Sequence, residues 1–182
     1  MGVKNPKRNS NTALSRDQVR ALLGCIEDGR DYAIVRLALE AAVRVNEFAT
    51  LSPANINYDA STIRVWDQKK DTKNGKARPN KKYRTIDMDR HVLEEFREFE
   101  NQALGLSAAT YERIIHKYST IALGYPVSWH SLRHTWTTLS LNSGRSIKYV
   151  ARKLGDTEAT VAQYYHDLSP EQLRRERSIK IF

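Results

Sequence analysis

Apolar residues recur at intervals of three and four along most of the chain, the spacing that places them on one face of an α-helix. Capping residues and glycines mark where these segments begin and end. The first predicted helix starts at Ser15 and the second covers Tyr32 to Leu51. Two more follow Asp89 and Ser107, and the next two end at Gly144 and Gly155. A further helix covers Val161 to Tyr165, and the last starts at Ser169. The pattern predicts a mainly helical chain whose second segment is apolar enough to be buried.

Two segments have the β-branched and aromatic content of strands instead, Thr62 to Trp66 and Tyr83 to Met88. The insert between them is polar and contains glycine and proline, so we expect a long antiparallel hairpin. The chain has 182 residues and no internal repeat, which suits one hydrophobic core. We predict a single α+β domain that is mostly α, with a small antiparallel β-sheet.

The net charge narrows the choice of partner. The chain has 30 Lys and Arg residues against 21 Asp and Glu, a formal charge of +9. A surface of that sign attracts polyanions, of which nucleic acid is the obvious one. A generically basic protein has the same charge, so the charge alone does not decide between them. The 40% of hydrophobic residues exclude a wholly disordered chain.

Cys25 is the only cysteine, which excludes an intrachain disulfide and a zinc site built from several thiolates. No segment is apolar for long enough to span a bilayer or to form a signal peptide. We therefore expect a cytoplasmic protein. Residues 1–12 are polar and basic and lack apolar periodicity, so we expect a flexible arm there, followed by the folded domain over residues 13–182.

Three separate segments hold residues that suit chemistry on a phosphate. Arg44 lies in an otherwise apolar stretch, where a guanidinium needs a partner, and Glu47 is the simplest one. His130 and Arg133 are three residues apart at a predicted helix start, so they share a face and suit an anion. A solvated surface pair is the alternative for these two. Tyr165 carries a nucleophilic oxygen, or it is aromatic core.

Taken together, these residues fit one reaction. A tyrosine that attacks a phosphodiester creates negative charge on the phosphorus group, and that charge has to be neutralised. Two guanidinium groups, each able to make paired hydrogen bonds, do this without a metal ion. The combination therefore favours chemistry over separate structural roles.

The order and spacing of these residues resemble the tyrosine recombinases, the phage-type integrase family. The segment Ala42 to Glu47 is similar to the family's Thr-Gly-Leu-Arg box with its following Glu, and His130 to His134 matches the family's His-x-x-Arg-His. A third box is similar at Leu154-Gly155. In the family the next residue is His or Trp and the nucleophile lies nine residues further; here those positions are Asp156 and Tyr165. A joint match of three boxes is far more specific than any single box.

The resemblance covers residues from about 13 to about 173 and implies the family's chemistry. It implies that Arg44 and Arg133 hold the scissile phosphate and that Tyr165 is the nucleophile. His130 would bind the phosphate and assist proton transfer. Tyr164 is the rival nucleophile, but the family spacing favours its neighbour. No metal ion, ATP or other cofactor is implied, because a 3′-phosphotyrosine conserves the bond energy.

In the family, a lysine in the turn between the second and third strands is thought to protonate the departing 5′-oxygen. The polar insert of this chain contains Lys69, Lys70, Lys73, Lys76, Lys81 and Lys82. Lys70 and Lys73 follow the preceding strand at the family's distance, so the resemblance favours these two as catalytic. We expect Lys69, Lys76, Lys81 and Lys82 to bind DNA phosphates.

Asp156 is the main departure from the family pattern. A carboxylate cannot donate the hydrogen bond that His or Trp gives to a phosphate oxygen, unless it is protonated or acts on another residue. We predict that Asp156 is one of the catalytic positions, where a carboxylate either weakens activity or leaves this hydrogen bond to a neighbour. The neighbouring His166 is a second residue that would be able to make that hydrogen bond.

The resemblance implies a site-specific DNA recombinase or integrase that binds double-stranded DNA and acts as a tetramer, at the nucleoid of a prokaryotic host. We expect the family's amino-terminal DNA-binding domain to be absent from this chain. Two other functions remain open. A type IB topoisomerase uses the same residue types. A DNA-binding regulator with this fold and no chemistry is favoured by Asp156 and by the helix-turn-helix pattern of Ser146 to Tyr165.

Overall fold

A computed structural model describes residues 13–66, 72–73, 76–77 and 83–163. Most of these residues are helical, as predicted. The α-helices are α1 (Arg16–Gly24), α2 (Gly29–Ala41), α3 (Val45–Ala49), α4 (Arg90–Arg97), α5 (Glu100–Ala103), α6 (Ala108–Leu123), α7 (Trp129–Asn142), α8 (Ile147–Leu154) and α9 (Glu158–Ala162).

Caps explain why several helices begin and end where the sequence predicts. The Ser15 hydroxyl accepts the Gln18 backbone N–H at 3.2 Å, and the Gln18 side chain accepts the Ser15 N–H at 2.9 Å, which is a complete capping box. Asp89 and Ser107 cap α4 and α6 with their side chains. Gly155 ends α8 in the left-handed region, with φ of 67°. These predicted boundaries are confirmed.

The strands are β1 (Ile56–Asn57), β2 (Thr62–Trp66), β3 (Thr72–Lys73), β4 (Lys76–Ala77) and β5 (Tyr83–Asp87). The predicted hairpin is confirmed as the antiparallel pair of β2 and β5, in which Ile63 faces Ile86. β1 adds an edge strand and gives the order β1-β2-β5. This strand was not predicted, because two residues are too few to show the alternation of a strand. β3 and β4 pair with each other inside the insert.

The helices form two buried clusters, and the candidate site lies where they meet. α2 is central to the larger cluster and packs against α4, α5, α6 and α7; Leu37 on α2 has no exposed surface. The smaller cluster joins α7 to α8 around Trp136. Ala42 belongs to the smaller cluster and Val43 to the larger one, and Arg44 follows directly.

The continuous helix predicted from Tyr32 to Leu51 is wrong, because the chain leaves the helix at Ala42. That residue adopts a positive φ of 52°, and α3 follows as a separate helix. The carbonyl of Ala42 accepts a hydrogen bond from Arg133 Nη1 at 2.7 Å, and the carbonyl of Val43 accepts one from Trp129 Nε1 at 3.0 Å. Side chains from α7 therefore satisfy carbonyls that a continuous helix would pair internally.

Some predicted elements lie outside the described residues. These are the arm over residues 1–12, the end of the helix predicted from Val161 to Tyr165, and the helix predicted from Ser169. A helix is present at this place, but α9 begins at Glu158, three residues before the predicted start at Val161. Among the residues that the structure describes, no helix combines the length and apolar character needed to cross a membrane.

Candidate active site

Arg133 enters the site from α7 and is almost completely buried, with 3% of its side chain exposed. Its Nη1 donates to the carbonyl of Ala42 at 2.7 Å, and its Nη2 donates to the carbonyl of Leu154 at 2.9 Å. Two backbone segments therefore fix the guanidinium in place. A solvated surface position, the alternative considered from the sequence, is wrong for this residue.

Arg44 precedes α3 and has 22% of its side chain exposed. Its Nη1 donates to Glu47 Oε1 at 2.9 Å, and its backbone N–H donates to Glu47 Oε2, also at 2.9 Å. The partner expected from the sequence is thus confirmed. The other terminal nitrogen of Arg44, Nη2, is directed towards Asp156, which follows α8.

Asp156 joins the two arginines. Arg44 Nη2 lies 3.0 Å from Asp156 Oδ1 and 3.2 Å from Oδ2, and Arg133 Nη2 donates to Oδ2 as well. Arg44 and Arg133, here called the arginine pair, therefore converge on one carboxylate. Asp156 has 11% of its side chain exposed, so the meeting point lies just beneath the surface. Asp156 therefore contacts the arginine pair, which is one of the possibilities that the sequence left for a carboxylate at this position.

Glu47 is fully buried and binds a third arginine, Arg84 of β5. Arg84 donates from Nη1 to Oε1 at 3.0 Å and from Nη2 to Oε2 at 2.8 Å, a two-bond pairing of guanidinium and carboxylate. Arg84 Nε also donates to the carbonyl of Lys153 at 3.2 Å. Arg84 therefore ties the sheet to the end of α8 and holds the carboxylate that in turn holds Arg44.

The buried charges of this network alter its pKa values. Burial alone would raise the pKa of Glu47, but the hydrogen bonds and charges of Arg84 and Arg44 lower it below its ordinary value of 4.5. Burial lowers the pKa of Arg133, the nearby charge of Arg44 adds to that effect, and Asp156 opposes it. Glu47 is thus ionised at neutral pH, and its charge and that of Asp156 offset the repulsion between the two like charges of the arginine pair.

His130 occupies the first turn of α7 and is exposed. Its ring meets the ring of His134 edge to face, with 4.4 Å between the ring centres. Its expected contact with the phosphate stays a prediction. In the part of the chain that the structure describes, no group of three His, Cys, Asp or Glu side chains is placed to hold a metal ion.

Several predicted site residues lie outside the described residues: Tyr164, Tyr165, His166, Lys69, Lys70, Lys81 and Lys82. Lys73 and Lys76 are described by their backbone, where they face each other across β3 and β4. The roles of these residues stay predictions.

Sequence reasoning missed Arg84, although a signal was present. In β5 the residues with even numbers face inward, so Arg84 lies on the same face as Ile86 and pairs across the sheet with Val65. A charged residue on the buried face of a strand needs a buried partner. The position of Arg84 beside the end of α8 also explains the glycine at Gly155, because a Cβ there would lie 3.0 Å from the Arg84 side chain.

Comparison with known proteins shows which family the chain resembles. The Phage integrase family matches residues 12–172. The tyrosine recombinase XerA of Saccharolobus solfataricus is 27% identical over 176 residues, which are 96% of this chain and 58% of that protein. XerA of Pyrococcus horikoshii is 27% identical over an alignment of 187 positions, which covers 94% of this chain and 63% of that protein. The chain therefore spans about six tenths of the length of these curated relatives.

Solved structures share the fold. The crystal structure of XerA recombinase superimposes with a TM-score of 0.74 at 25% identity, covering 98% of this chain and 68% of that one. XerH recombinase in a post-cleavage complex with palindromic difH substrate superimposes with a TM-score of 0.73 at 17% identity, covering 94% of this chain and 54% of that one. The fold is that of tyrosine recombinase catalytic domains, and the family match extends over most of the chain. This chain therefore belongs to the phage integrase family of tyrosine recombinases.

Proposed function

We propose that residues 13–182 form a catalytic domain that cleaves and rejoins DNA strands by site-specific recombination. The observation that carries the proposal is the arginine pair. Two guanidinium groups, one from Arg44 just before α3 and one from Arg133 on α7, converge on one anion and are each fixed by further partners. Rigid, converging donors of this kind suit a phosphodiester whose charge increases during the reaction.

In the proposed reaction, the oxygen of Tyr165 attacks the scissile phosphorus. A bond forms between that oxygen and phosphorus, and the bond from phosphorus to the 5′-oxygen of the next nucleotide breaks. The products are a 3′-phosphotyrosine and a free 5′-hydroxyl. A partner 5′-hydroxyl later reverses the step and reseals the strand, so no external energy source is needed.

Proton transfer completes the proposal. Lys70 or Lys73 protonates the departing 5′-oxygen. His130, in the exposed first turn of α7, binds the phosphate and assists the transfer of the proton that the Tyr165 hydroxyl loses. The role of Lys69, Lys76, Lys81 and Lys82 is to bind the DNA backbone.

The proposed partner is double-stranded DNA, to which the formal charge of +9 would draw the protein. XerH was solved with its difH substrate, and the Tn1549 transposon integrase with a circular intermediate DNA. By analogy we propose that this protein works as a homotetramer on DNA, in the cytoplasm at the nucleoid of a prokaryotic host.

A covalent adduct tests the proposal. The protein is incubated with duplexes that carry a nick close to a randomised segment, so that the short 5′-hydroxyl fragment dissociates after cleavage and religation is prevented. The strand that keeps the 3′-phosphate carries a 5′ label, and denaturing electrophoresis shows whether the label migrates with the protein. We expect an adduct from the unaltered chain, and its absence would refute the proposed function.

Tyr165→Phe is the informative variant, and Tyr164→Phe is its matched control. Removal of the nucleophilic oxygen should abolish the adduct while DNA binding persists, since nothing else in the side chain changes. Adduct formation by Tyr165→Phe together with its loss in Tyr164→Phe would assign the nucleophile to the neighbouring residue.

A further inference from the structure

Asp156 occupies the position on the arginine pair that a phosphate would take. Its two oxygens accept from both guanidinium groups, as the non-bridging oxygens of a phosphodiester would. We propose that the Asp156 carboxylate is an internal competitor for the scissile phosphate, which has to leave the arginine pair before DNA is cleaved. This inference rests on the proposed function, because it concerns the same site.

The arginine pair does not need Asp156 to keep its shape. Arg133 is also held by the carbonyls of Ala42 and Leu154, and Arg44 is also held by Glu47. Each guanidinium therefore stays in place when the carboxylate leaves, and the site that remains is preorganised for an anion. A residue whose purpose was to position the arginines would duplicate contacts that they already have.

Asp156 is also placed so that its side chain can leave. The backbone N–H of Asp156 donates to the carbonyl of Ala151 at 3.0 Å, directly after the left-handed Gly155, so the main chain is anchored. The side chain is at the partly exposed edge of the site, next to the 22% exposed Arg44. Rotation about the Cα–Cβ bond, between staggered side-chain conformers, would move the carboxylate away from the arginine pair.

The charge balance favours that movement when DNA arrives. The network consists of three guanidinium groups and two carboxylates, so its net charge is one positive. A phosphodiester brings about one negative charge, and the transition state of the attack is more negative still. A retained carboxylate would repel that charge across a buried site, where screening is weak. Its departure leaves two positive charges for the reacting group.

This arrangement makes the site selective. An isolated phosphate has to displace the carboxylate with its own binding energy. A DNA duplex in the correct register has many other contacts, and their binding energy can be used for the displacement. Competition by Asp156 therefore suppresses cleavage of DNA that is held by few contacts.

Binding of inorganic phosphate to the whole chain tests the competition without any chemistry. Asp156→Asn removes the charge at nearly constant shape, and Asp156→Ala removes the group altogether. Glu158→Gln is the matched control, because it removes the same charge from an exposed position two residues later. We expect phosphate to bind about tenfold or more tightly to both Asp156 variants, in line with one buried like charge removed, and unchanged to the control. Adding Arg44→Ala to Asp156→Asn should cancel the gain.

Phosphate affinity that is unchanged or weaker in both Asp156 variants overturns the proposal, because the carboxylate would then support the arginines and would not compete with phosphate. Far-ultraviolet circular dichroism of each variant confirms that the fold is kept. Adduct formation on the nicked duplexes tests the proposed function separately. Tighter phosphate binding without an adduct from any variant would retain the competition at the anion site and refute recombinase chemistry. Tighter binding with faster adduct formation by Asp156→Asn supports both.

Discussion

Arg84 is the residue whose replacement should reveal most about how the site is held together. Arg84→Ala removes the two hydrogen bonds to the buried Glu47 carboxylate and the one to the carbonyl of Lys153. Breaking a buried ion pair by removal of one partner typically costs about 3–5 kcal/mol, because a buried charge is left uncompensated. Glu47 keeps two hydrogen bonds from Arg44, so we expect the free energy of unfolding to fall by an amount near the lower end of this range, about 3 kcal/mol.

The loss should depend on pH in a defined direction. The pKa of Glu47 in the folded protein lies below 4.5, and Arg84 is the chief opponent of the effect of burial. A carboxylate with a depressed folded pKa stabilises the protein above its unfolded pKa, and that stabilisation is lost as the pH falls through the folded value. The difference between the unaltered chain and Arg84→Ala should therefore be full at pH 7 and shrink as the pH is lowered below about 4.

Urea unfolding followed by fluorescence measures this, because Trp129 and Trp136 are buried. Arg64→Ala is the matched control: Arg64 lies on the neighbouring strand β2, is exposed and stacks over the ring of Tyr83 at 4.2 Å. Arg64→Ala should lower the free energy of unfolding by well under ~1 kcal/mol. Equal losses for the two variants, or a loss for Arg84→Ala that does not shrink in acid, would contradict the role given to Arg84.

The remaining predictions concern cleavage. Arg44→Ala and Arg133→Ala should each reduce the rate of adduct formation by at least ~10²-fold, with little rescue by Lys, which lacks the paired geometry; unaltered rates in either Ala variant would refute the phosphate contact. Replacing the catalytic lysine, Lys70 or Lys73, by Ala should slow cleavage by about 10²–10⁴-fold, and a substrate with sulfur in place of the 5′-oxygen should restore the rate, because that leaving group needs no proton. If no Lys→Ala variant in the insert shows a defect relieved by sulfur, the general acid lies elsewhere. Rates are measured at saturating DNA, so that weaker binding does not imitate a chemical defect.

Local features of this protein follow from the amino-acid sequence alone. The capping box of Ser15 and Gln18, the end of α8 at Gly155 and the pairing of two β-rich segments depend on neighbouring residues, so periodicity and residue type predicted them. The need of Arg44 for a partner was also evident, and Glu47 one turn away supplied it. Order and spacing of the boxes were sufficient to identify the family.

The contacts that join these features depend on how the chain folds in three dimensions. The helix interruption at Ala42 depends on an arginine of α7 that donates a hydrogen bond to the Ala42 carbonyl. The position of Asp156 on both arginines joins three segments that are far apart in sequence. Arg84 reaches Glu47 from a strand across the site. Such contacts are set by how elements pack, and the low-dielectric interior requires each buried charge to find a partner wherever the fold brings one near.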